Sequence, residues 1–475
     1  MNISKSVKLI ENIKSILLVV LFLFTILLLY LFWGSAPLNS VTGEENPRHE
    51  AISLVEVLSP GRMEVCFGGD VYTMAGNKFP VMMESFKAFS GSRNLSVEEI
   101  SGVIYEETMK QPSIKAVFDY YIPFNAISEI YSIDRISGAD AINAVSELAY
   151  AARYDDRLFI SDKAAGKYYA IVGSPSAGFD AIKEEIENSR GGGFMYFPLG
   201  MYAGGESRAL CPESLESGIY DTAYLQEDFS RGSDSGTPVI KSFFSDNFDF
   251  VRRIEEESGT TIYMYGYGKI VVIARLDGTL EFKMEDEERP SSQIRYFEAL
   301  ERASAFLMTH GAFSSLSGVQ LTPYIKEVII DPGGKRGFRF VFGIKVNGDK
   351  VYYQNDAPVV VDVTGGRVSY FKRNLINVGA GELKNTEEAY RTAYSAINML
   401  AGNQDYIKKV LLDNKTAGEE ISFEELAEKV KWFDAGYVRT GKQEKILKAA
   451  WIVSIDGVEF YFGLDDGAPI GFKRR

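Results

Sequence analysis

The sequence predicts an α+β protein in which an N-terminal transmembrane helix precedes a multi-domain extracytoplasmic part, the last two domains being repeated helix-on-antiparallel-sheet modules. Three observations support this prediction: an uncharged apolar run at residues 16–33, an irregular alternation of helix-like and strand-like segments, and a repeated order of segments in the tail. Of the 475 residues, 46% are hydrophobic and 24% are charged. This composition is typical of globular proteins and excludes collagen-like and wholly disordered chains.

The N-terminal apolar run is predicted to span a membrane without being cleaved. Its 18 residues would cover roughly 27 Å as a helix, close to the hydrocarbon thickness of a bilayer. Three lysines and one glutamate precede it, so the positive-inside rule places residues 1–15 in the cytoplasm and the bulk of the chain outside. A cleaved signal peptide is the alternative, but the run is longer than a usual signal-peptide core, and Pro37 follows the small-residue cleavage site.

A polar linker at 34–50 separates this anchor from three predicted α+β domains at 51–240, 241–378 and 379–475. The glycine-rich tract 190–238 is predicted to be a boundary or a long surface excursion. The elements predicted for the first domain are strands at 51–58, 62–67 and 115–122, and helices at 138–153, at 177–188 and after the capping box Ser96-Val97-Glu98-Glu99.

The second and third domains are predicted to follow one plan, a helix and then antiparallel strands, which favours a duplication. The predicted helices lie at 246–258, at 291–309, at 386–400 before Gly402, and after the capping box Ser422-Phe423-Glu424-Glu425. The predicted strands lie at 260–267, 269–276, 279–284, 326–330, 338–346, 350–354, 435–439, 446–455 and 458–464. The segments that can be aligned are Val346-Asn347-Gly348 with Ile455-Asp456-Gly457, Val351-Tyr352-Tyr353 with Phe460-Tyr461-Phe462, and Phe371-Lys372-Arg373 with Phe472-Lys473-Arg474.

No catalytic, cofactor-binding or metal-binding residue is predicted. The net charge of −14 argues against a nucleic-acid partner, because a polyanion requires clustered lysine and arginine. The glycine-rich segment around Lys335 lacks the frame of a phosphate-binding loop. Cys66 and Cys211 are predicted to be buried free thiols, with a disulfide as the alternative. His310 is predicted to contact the dipole at a helix C-terminus, and His49 to be solvated.

Carboxylates abound, and a pair of them could cleave a glycoside. The strongest runs are Asp465-Asp466 and residues 285–288. Both lie beside predicted turns, so a solvated surface is preferred, and a wall-modifying glycoside hydrolase stays an alternative. An acidic, aromatic-rich body without a visible reaction centre is typical of a protein that contacts other proteins.

Several segments are similar to those of a known family, in the same order along the chain. They are Glu11-Asn12-Ile13-Lys14-Ser15-Ile16-Leu17-Leu18, Val57-Leu58-Ser59-Pro60-Gly61-Arg62-Met63, Phe67-Gly68-Gly69, and the tail with Trp451-Ile452-Val453, Tyr461-Phe462 and Gly471-Phe472. In these segments the chain resembles YycH proteins. Its tail is similar to the module that YycH shares with its companion YycI.

The resemblance implies regulation rather than catalysis. YycH-like proteins lie in the membrane of Gram-positive bacteria beside the WalK (YycG) sensor histidine kinase. They modulate this kinase together with YycI and so influence cell-wall metabolism. For this chain, the resemblance implies a membrane-embedded, non-enzymatic regulator without a cofactor. Its partners would be the transmembrane helices of the kinase and a YycI-like protein, and a homo-oligomer is left open.

The kinase contact implied by the resemblance falls within residues 16–33. Apolar helices gain nothing hydrophobic by leaving lipid for one another, so packing and sparse polar contacts must drive their association. A spore-germination-type single-pass scaffold or inhibitor is the alternative function. The predicted partner-binding residues are Leu18, Phe22, Thr25, Leu29 and Tyr30.

Overall fold

The computed structural model describes residues 57–474 except 77, 92–93, 134–135, 192–193, 218, 220, 227–236, 286–292, 312, 314–320, 335, 347, 378–390, 413–420 and 442–444. Within these residues no helix combines the length and the apolar composition that a bilayer crossing requires. The predicted anchor at 16–33 lies outside the described residues. The same holds for its predicted contact residues, Leu18, Phe22, Thr25, Leu29 and Tyr30.

The first half of the chain forms a nine-stranded antiparallel sheet in the order β3-β7-β6-β5-β4-β1-β2-β8-β9. Its strands are β1 (Arg62–Cys66), β2 (Tyr72–Ala75), β3 (Ser96–Ile100), β4 (Ser113–Val117), β5 (Glu147–Ala151), β6 (Arg157–Asp162), β7 (Lys167–Val172), β8 (Met195–Pro198) and β9 (Leu210–Pro212).

The α-helices of the described residues are mostly short. They are α1 (Phe79–Ser90), α2 (Gly102–Met109), α3 (Phe124–Ile130), α4 (Asp180–Asn188), α5 (Gly200–Ala203), α6 (Thr237–Ser242), α7 (Tyr296–Thr309), α8 (Ala396–Gly402), α9 (Gln404–Leu412) and α10 (Phe423–Lys429).

The two faces of the first sheet differ because successive side chains of a strand point to opposite sides. Val65, Ile114 and Leu148 share the face that packs in the main core with α1 and α4. On the opposite face, Tyr105 and Met109 of α2 pack against alanines of β5 and β7. Helix α2 covers only part of this face, so the charged residues of β1, β4 and β5 border a cleft.

The second half of the chain forms a 14-stranded sheet in the order β13-β14-β15-β16-β21-β20-β18-β19-β24-β25-β26-β27, with β17 on β18 and β11 on β25. The remaining strands are β10 (Glu216–Ser217), β11 (Thr222–Ala223), β12 (Leu225–Gln226), β13 (Arg252–Glu255), β14 (Thr261–Tyr265), β15 (Ile270–Ala274), β16 (Leu280–Met284), β17 (Thr322–Ile330), β18 (Gly337–Val346), β19 (Asp349–Tyr353), β20 (Val359–Thr364), β21 (Arg367–Arg373), β22 (Ile376–Asn377), β23 (Arg391–Thr392), β24 (Val430–Arg439), β25 (Ile446–Ile455), β26 (Val458–Gly463) and β27 (Pro469–Arg474).

One parallel pair, β19 with β24, joins the two predicted tail modules into this single sheet, with Val351 opposite Tyr437. Each module contains the tight hairpin that the sequence predicts. In the second, Asp456 and Gly457 both have positive φ, as a two-residue hairpin turn requires. In the first, Gly348 has φ +90° and Val346 pairs with Asp349. The predicted domain boundaries and the duplication itself stay predictions.

The glycine-rich tract is not a surface excursion as a whole. Its strands β8 and β9 extend the first sheet, whereas β11 pairs with β25 of the second. Strands β10 and β12 pair with β23 and β22. Tyr224 is buried, and its hydroxyl accepts a hydrogen bond of 3.1 Å from Arg439 Nε. The tract therefore ties the two sheets together.

Two predicted helices are wrong, and a third begins later than predicted, because strand pairing overrides the local pattern. The segment Ser96-Val97-Glu98-Glu99 belongs to β3, which pairs with β7, and Ser101 caps the following helix α2 instead. The alanine-rich segment 138–153 contains the buried central strand β5. The segment 246–258 contains the 3-10 helix Ser245–Phe250 and the strand β13.

The other predicted helices are confirmed as α4, α7, α8 and α10. Helix α8 begins only at Ala396, because Arg391 and Thr392 form β23. The capping box at Ser422 and Glu425 is present at α10. Gly402 is the last residue of α8 rather than the residue after it, and Asn403 follows as the cap.

The close approach of β19 to β24 predicts a steric effect at Gly436. A Cβ atom there would lie 2.6 Å from the carbonyl oxygen of Lys350, so Gly436→Ala should lower the free energy of unfolding by about 2 kcal/mol. The matched control is Gly402→Ala, because no atom lies within 4 Å of the added Cβ and the position is helical. Urea unfolding of both variants checks this prediction. Equal stability of the two variants would contradict the close pairing of β19 with β24.

Candidate binding cleft

A half-open cleft of about 310 Å³ lies between the charged face of the first sheet and the start of β24. Helix α2 and the residues that lead into β9 complete its walls. Its charged lining residues are Arg62, Glu64, Glu106, Lys110, Lys115, Glu147, Lys163, Arg208 and Lys431. Its other lining residues are Tyr72, Met74, Tyr105, Met109, Tyr168, Ala209, Leu210, Val430, Trp432 and Phe433.

Strand alternation and register place the charged residues of the floor. In β1, Arg62 and Glu64 point into the cleft, while the residues between and after them enter the core. Lys115 of β4 lies directly opposite Glu64 in the antiparallel register. Glu147 of β5 pairs with Val117, two residues along β4 from Lys115. The three strands therefore bring opposite charges into contact across the sheet.

Lys115 is shared between two carboxylates. Its Nζ lies 2.8 Å from Glu64 Oε2 and 3.5 Å from Glu147 Oε1. Arg62 Nε donates to Glu64 Oε1 at 2.6 Å, and Lys163 Nζ lies 2.8 Å from Glu147 Oε1. We call these five residues the floor network. The side chains of its two glutamates are only 7% and 5% exposed.

The floor network keeps both glutamates ionised. Burial alone would raise the pKa of Glu64, but Lys115 and Arg62 outweigh it and lower this pKa to about 2. Burial likewise raises the pKa of Glu147, yet Lys115 and Lys163 lower it overall. Burial also lowers the pKa of Lys115, and the two glutamates reverse that shift and raise it. Glu64, Glu147 and Lys115 thus stay charged throughout the neutral pH range.

This electrostatic state is unsuited to glycoside cleavage. The cleft does bring two carboxylates together, but a glycosidase needs one of its pair protonated as a general acid, with a raised pKa. Tyr105 Oη also donates to Glu147 Oε2 at 2.9 Å, which further favours the ionised form. No group of three histidine, cysteine or acidic residues suited to a metal ion occurs among the described residues.

The acid runs named from sequence contribute nothing to this cleft. Asp466 Oδ1 accepts a hydrogen bond of 2.9 Å from the backbone N–H of Ala468, in the turn between β26 and β27. Residues 286–288 lie outside the described residues, as does His49.

Both cysteines are buried free thiols, as predicted. Cys66 lies in β1 and Cys211 in β9, with β2 and β8 between them in the sheet. Three strand spacings amount to roughly 14 Å, whereas the Cα atoms of a disulfide lie within about 7 Å. Burial raises the pKa of Cys211 to about 12, so its thiol is protonated and unreactive at neutral pH.

His310 lies at the end of α7, but the predicted contact between its charge and the helix dipole is wrong. Its ring stacks on Phe243 with centroids 4.2 Å apart, and its Nδ1 is 2.6 Å from Ser242 Oγ. Burial lowers its pKa to about 3, so the imidazole is neutral at pH 7. His310 therefore acts as a buried aromatic residue with one hydrogen bond.

Sequence reasoning missed the floor network entirely. The available signal was alternation: Arg62 and Glu64 are two residues apart in a strand whose other residues are apolar. Such a pattern indicates a polar face, but the partners Lys115, Glu147 and Lys163 come from three further segments. Only the sheet order brings them together.

No family model and no curated protein matches the chain. Among solved structures, the crystal structure of YycH from Bacillus subtilis matches with a TM-score of 0.56 at 11% sequence identity. The match covers 85% of this chain and 95% of that chain. The chain has the YycH fold. The resemblance stated from sequence is thereby confirmed, and at this identity it establishes the fold alone.

The shared lysine predicts a large effect on stability. Lys115→Met should lower the free energy of unfolding by about 3 kcal/mol. The substitution removes the ammonium that two buried carboxylates share, and leaves Glu64 with Arg62 and Glu147 with Lys163. The control is Lys167→Met, whose Nζ pairs with Glu99 at 3.0 Å on the exposed edge of the same sheet. That pair should contribute less than about 1 kcal/mol. Urea unfolding compares the two, and an equally small loss in both variants would contradict the floor network.

The neutral state of His310 predicts that the stability of the folded chain depends on pH. Because its folded pKa lies below that of the unfolded chain, the unfolded state binds the extra proton and stability falls as pH drops below 6.5. From pH 7 to pH 5, the unmodified chain should lose about 2 kcal/mol more of its unfolding free energy than His310→Asn. His49→Asn is the control, and its unfolding free energy should fall between pH 7 and pH 5 by as much as that of the unmodified chain. Identical losses in all three proteins would rule out the neutral buried imidazole.

Proposed function

We propose that this chain is a membrane-anchored, non-enzymatic regulator of the YycH type that modulates a sensor histidine kinase and so influences cell-wall metabolism. The shared fold carries this proposal, since the likeness to YycH extends over 85% of this chain and 95% of the other. A likeness of that extent covers both sheets rather than one common module. The kinase would be of the WalK (YycG) type that the sequence resemblance implies.

The proposed anchor at residues 16–33 places the body outside the cell membrane and carries the kinase contact. Leu18, Phe22, Thr25 and Leu29 follow at intervals of four, three and four residues, so a helix would present them on one face. Packing of such a face against the helices of the kinase, with Thr25 as a polar contact, is the interaction that lipid permits. Tyr30 would lie near the outer interface, where aromatic rings are favoured.

The body outside the membrane would assemble with a YycI-like companion. The electrostatics of the cleft support a binding role over hydrolysis, because both of its buried carboxylates are held ionised. A change in the body would reach the kinase through the anchor helix.

The anchor face can be tested with a matched pair of positions. A photocrosslinking residue at Phe22 should capture the kinase in membranes, whereas the same residue at Phe24, about 200° around the helix, should not. Phe22→Ala should also change phosphorylation of the response regulator, while Phe24→Ala leaves it as in the unmodified chain. Crosslinking followed by mass spectrometry and a phosphorylation assay provide the two readouts.

A helix exchange provides the second arm of this test. Replacing residues 16–33 with an unrelated apolar helix should abolish control of the kinase while the protein remains in the membrane fraction. Full control by the exchanged protein, or equal capture from both crosslinking positions, would refute signalling through this helix.

A further inference from the structure

The cleft is positively charged in an acidic protein. Six of its lining residues are cationic and three are carboxylates, whereas the whole chain has a net charge of −14. The cations come from separate segments: β1, the end of α2, β4, the turn after β6, the residues before β9, and β24. A lining in which cations outnumber carboxylates attracts anionic ligands.

The floor of the cleft is a rigid charged platform. In the floor network, three cations share two carboxylates, and the carboxylate of Asp119 also acts on Arg62. Both carboxylates stay ionised and hold Lys115 and Arg62 in fixed positions, so a ligand would find its partners already oriented. The side chain of Lys163 remains 56% exposed although it contacts Glu147.

Two cations at the rim of the cleft, Arg208 and Lys431, are available to contact a ligand. Arg208 lies 3.5 Å from Glu106, and both side chains are about half exposed, so the pair is weak and screened by water. Lys431 is exposed, and no ion pair connects it to any residue that the structure describes. A guanidinium and an ammonium that line the same cleft can both bind an oxyanion that enters it.

The remaining walls fit a ring-bearing ligand. The ring centroids of Tyr105 and Tyr168 lie 4.9 Å apart, and Trp432 also lines the cleft. Aromatic and methionine side chains pack against the flat body of a ligand while the charged groups fix its orientation. A volume of about 310 Å³ is at the small end for a ligand pocket, which suits one ring with an anionic group.

We propose that this cleft binds a small oxyanion ligand, a phosphate or carboxylate group carried on a single ring of sugar size, with Arg208 and Lys431 as its rim contacts. The proposal goes beyond the proposed regulatory function and does not depend on it. An acidic peptide segment is the competing occupant, and the small volume of the cleft favours the single-ring ligand.

The test is calorimetric titration of the full chain in a non-ionic detergent at a fixed ionic strength of about 0.05 M. The probes are glucose 6-phosphate, glucose, inorganic phosphate and a ten-residue glutamate peptide. Glucose 6-phosphate should bind more tightly than inorganic phosphate, and glucose should not bind. Affinity should fall when potassium chloride is raised to about 0.5 M, because exposed charges are then screened.

The rim residues supply matched variants. Arg208→Gln and Lys431→Gln should each weaken binding of glucose 6-phosphate by about tenfold, which corresponds to losing one charged contact. Arg253→Gln is the control, because Arg253 is also a half-exposed arginine paired with a glutamate, on β13 and away from the cleft. Its affinity should equal that of the unmodified chain.

Two results would overturn the proposal. One is the absence of glucose 6-phosphate binding at millimolar concentration, or binding that Arg208→Gln and Lys431→Gln leave unchanged. The other is tight binding of the glutamate peptide without binding of the sugar phosphate, which would assign the cleft to a protein segment.

Discussion

The ammonium group of Lys115 between Glu64 and Glu147 is the interaction on which the cleft depends. It connects β1, β4 and β5 on the face of the first sheet that α2 leaves uncovered. Buried ion pairs often stabilise a protein no better than apolar residues of similar size would, because desolvation offsets their attraction. Stability alone therefore does not explain three cations and two carboxylates at this position. Their effect is to keep a charged and rigid surface at the bottom of a cavity.

The second sheet also contains a partly buried ion pair, which joins β19 to β24. Lys350 Nζ of β19 lies 3.0 Å from Asp434 Oδ2 of β24, beside the parallel joint of the sheet. Burial lowers the pKa of Lys350, but Asp434 and Asp119 raise it overall, and Asp119 follows β4 of the first sheet. Burial and Asp434 together raise the pKa of Asp349 to about 6. Asp119 and Lys350 therefore interact electrostatically between the two sheets.

The sequence predicted the α+β class and most strands of the tail, because their alternation and turn residues act locally, as at Asp456-Gly457. The sequence-based prediction failed where the pairing of distant strands determines the local structure. Residues 96–99 match a capping box, but they form an edge strand because β7 pairs with them. The alanines of β5 suggested a helix, but they lie in a strand against which α2 packs. The floor network could not be found from sequence, since Arg62, Lys115 and Lys163 become neighbours only through the order of strands.

The most direct test of this account is the pKa of the Glu64 carboxyl group in the folded chain. It can be measured by carbon-13 NMR of protein labelled in its glutamate side chains, with Glu64→Gln to identify the signal. The account predicts that Glu64 stays ionised at every pH at which the protein remains folded, with a pKa of about 2. A midpoint at or above 4.5, the ordinary value for glutamate, would show that Lys115 and Arg62 do not hold this carboxylate, and the rigid charged floor would be lost with it.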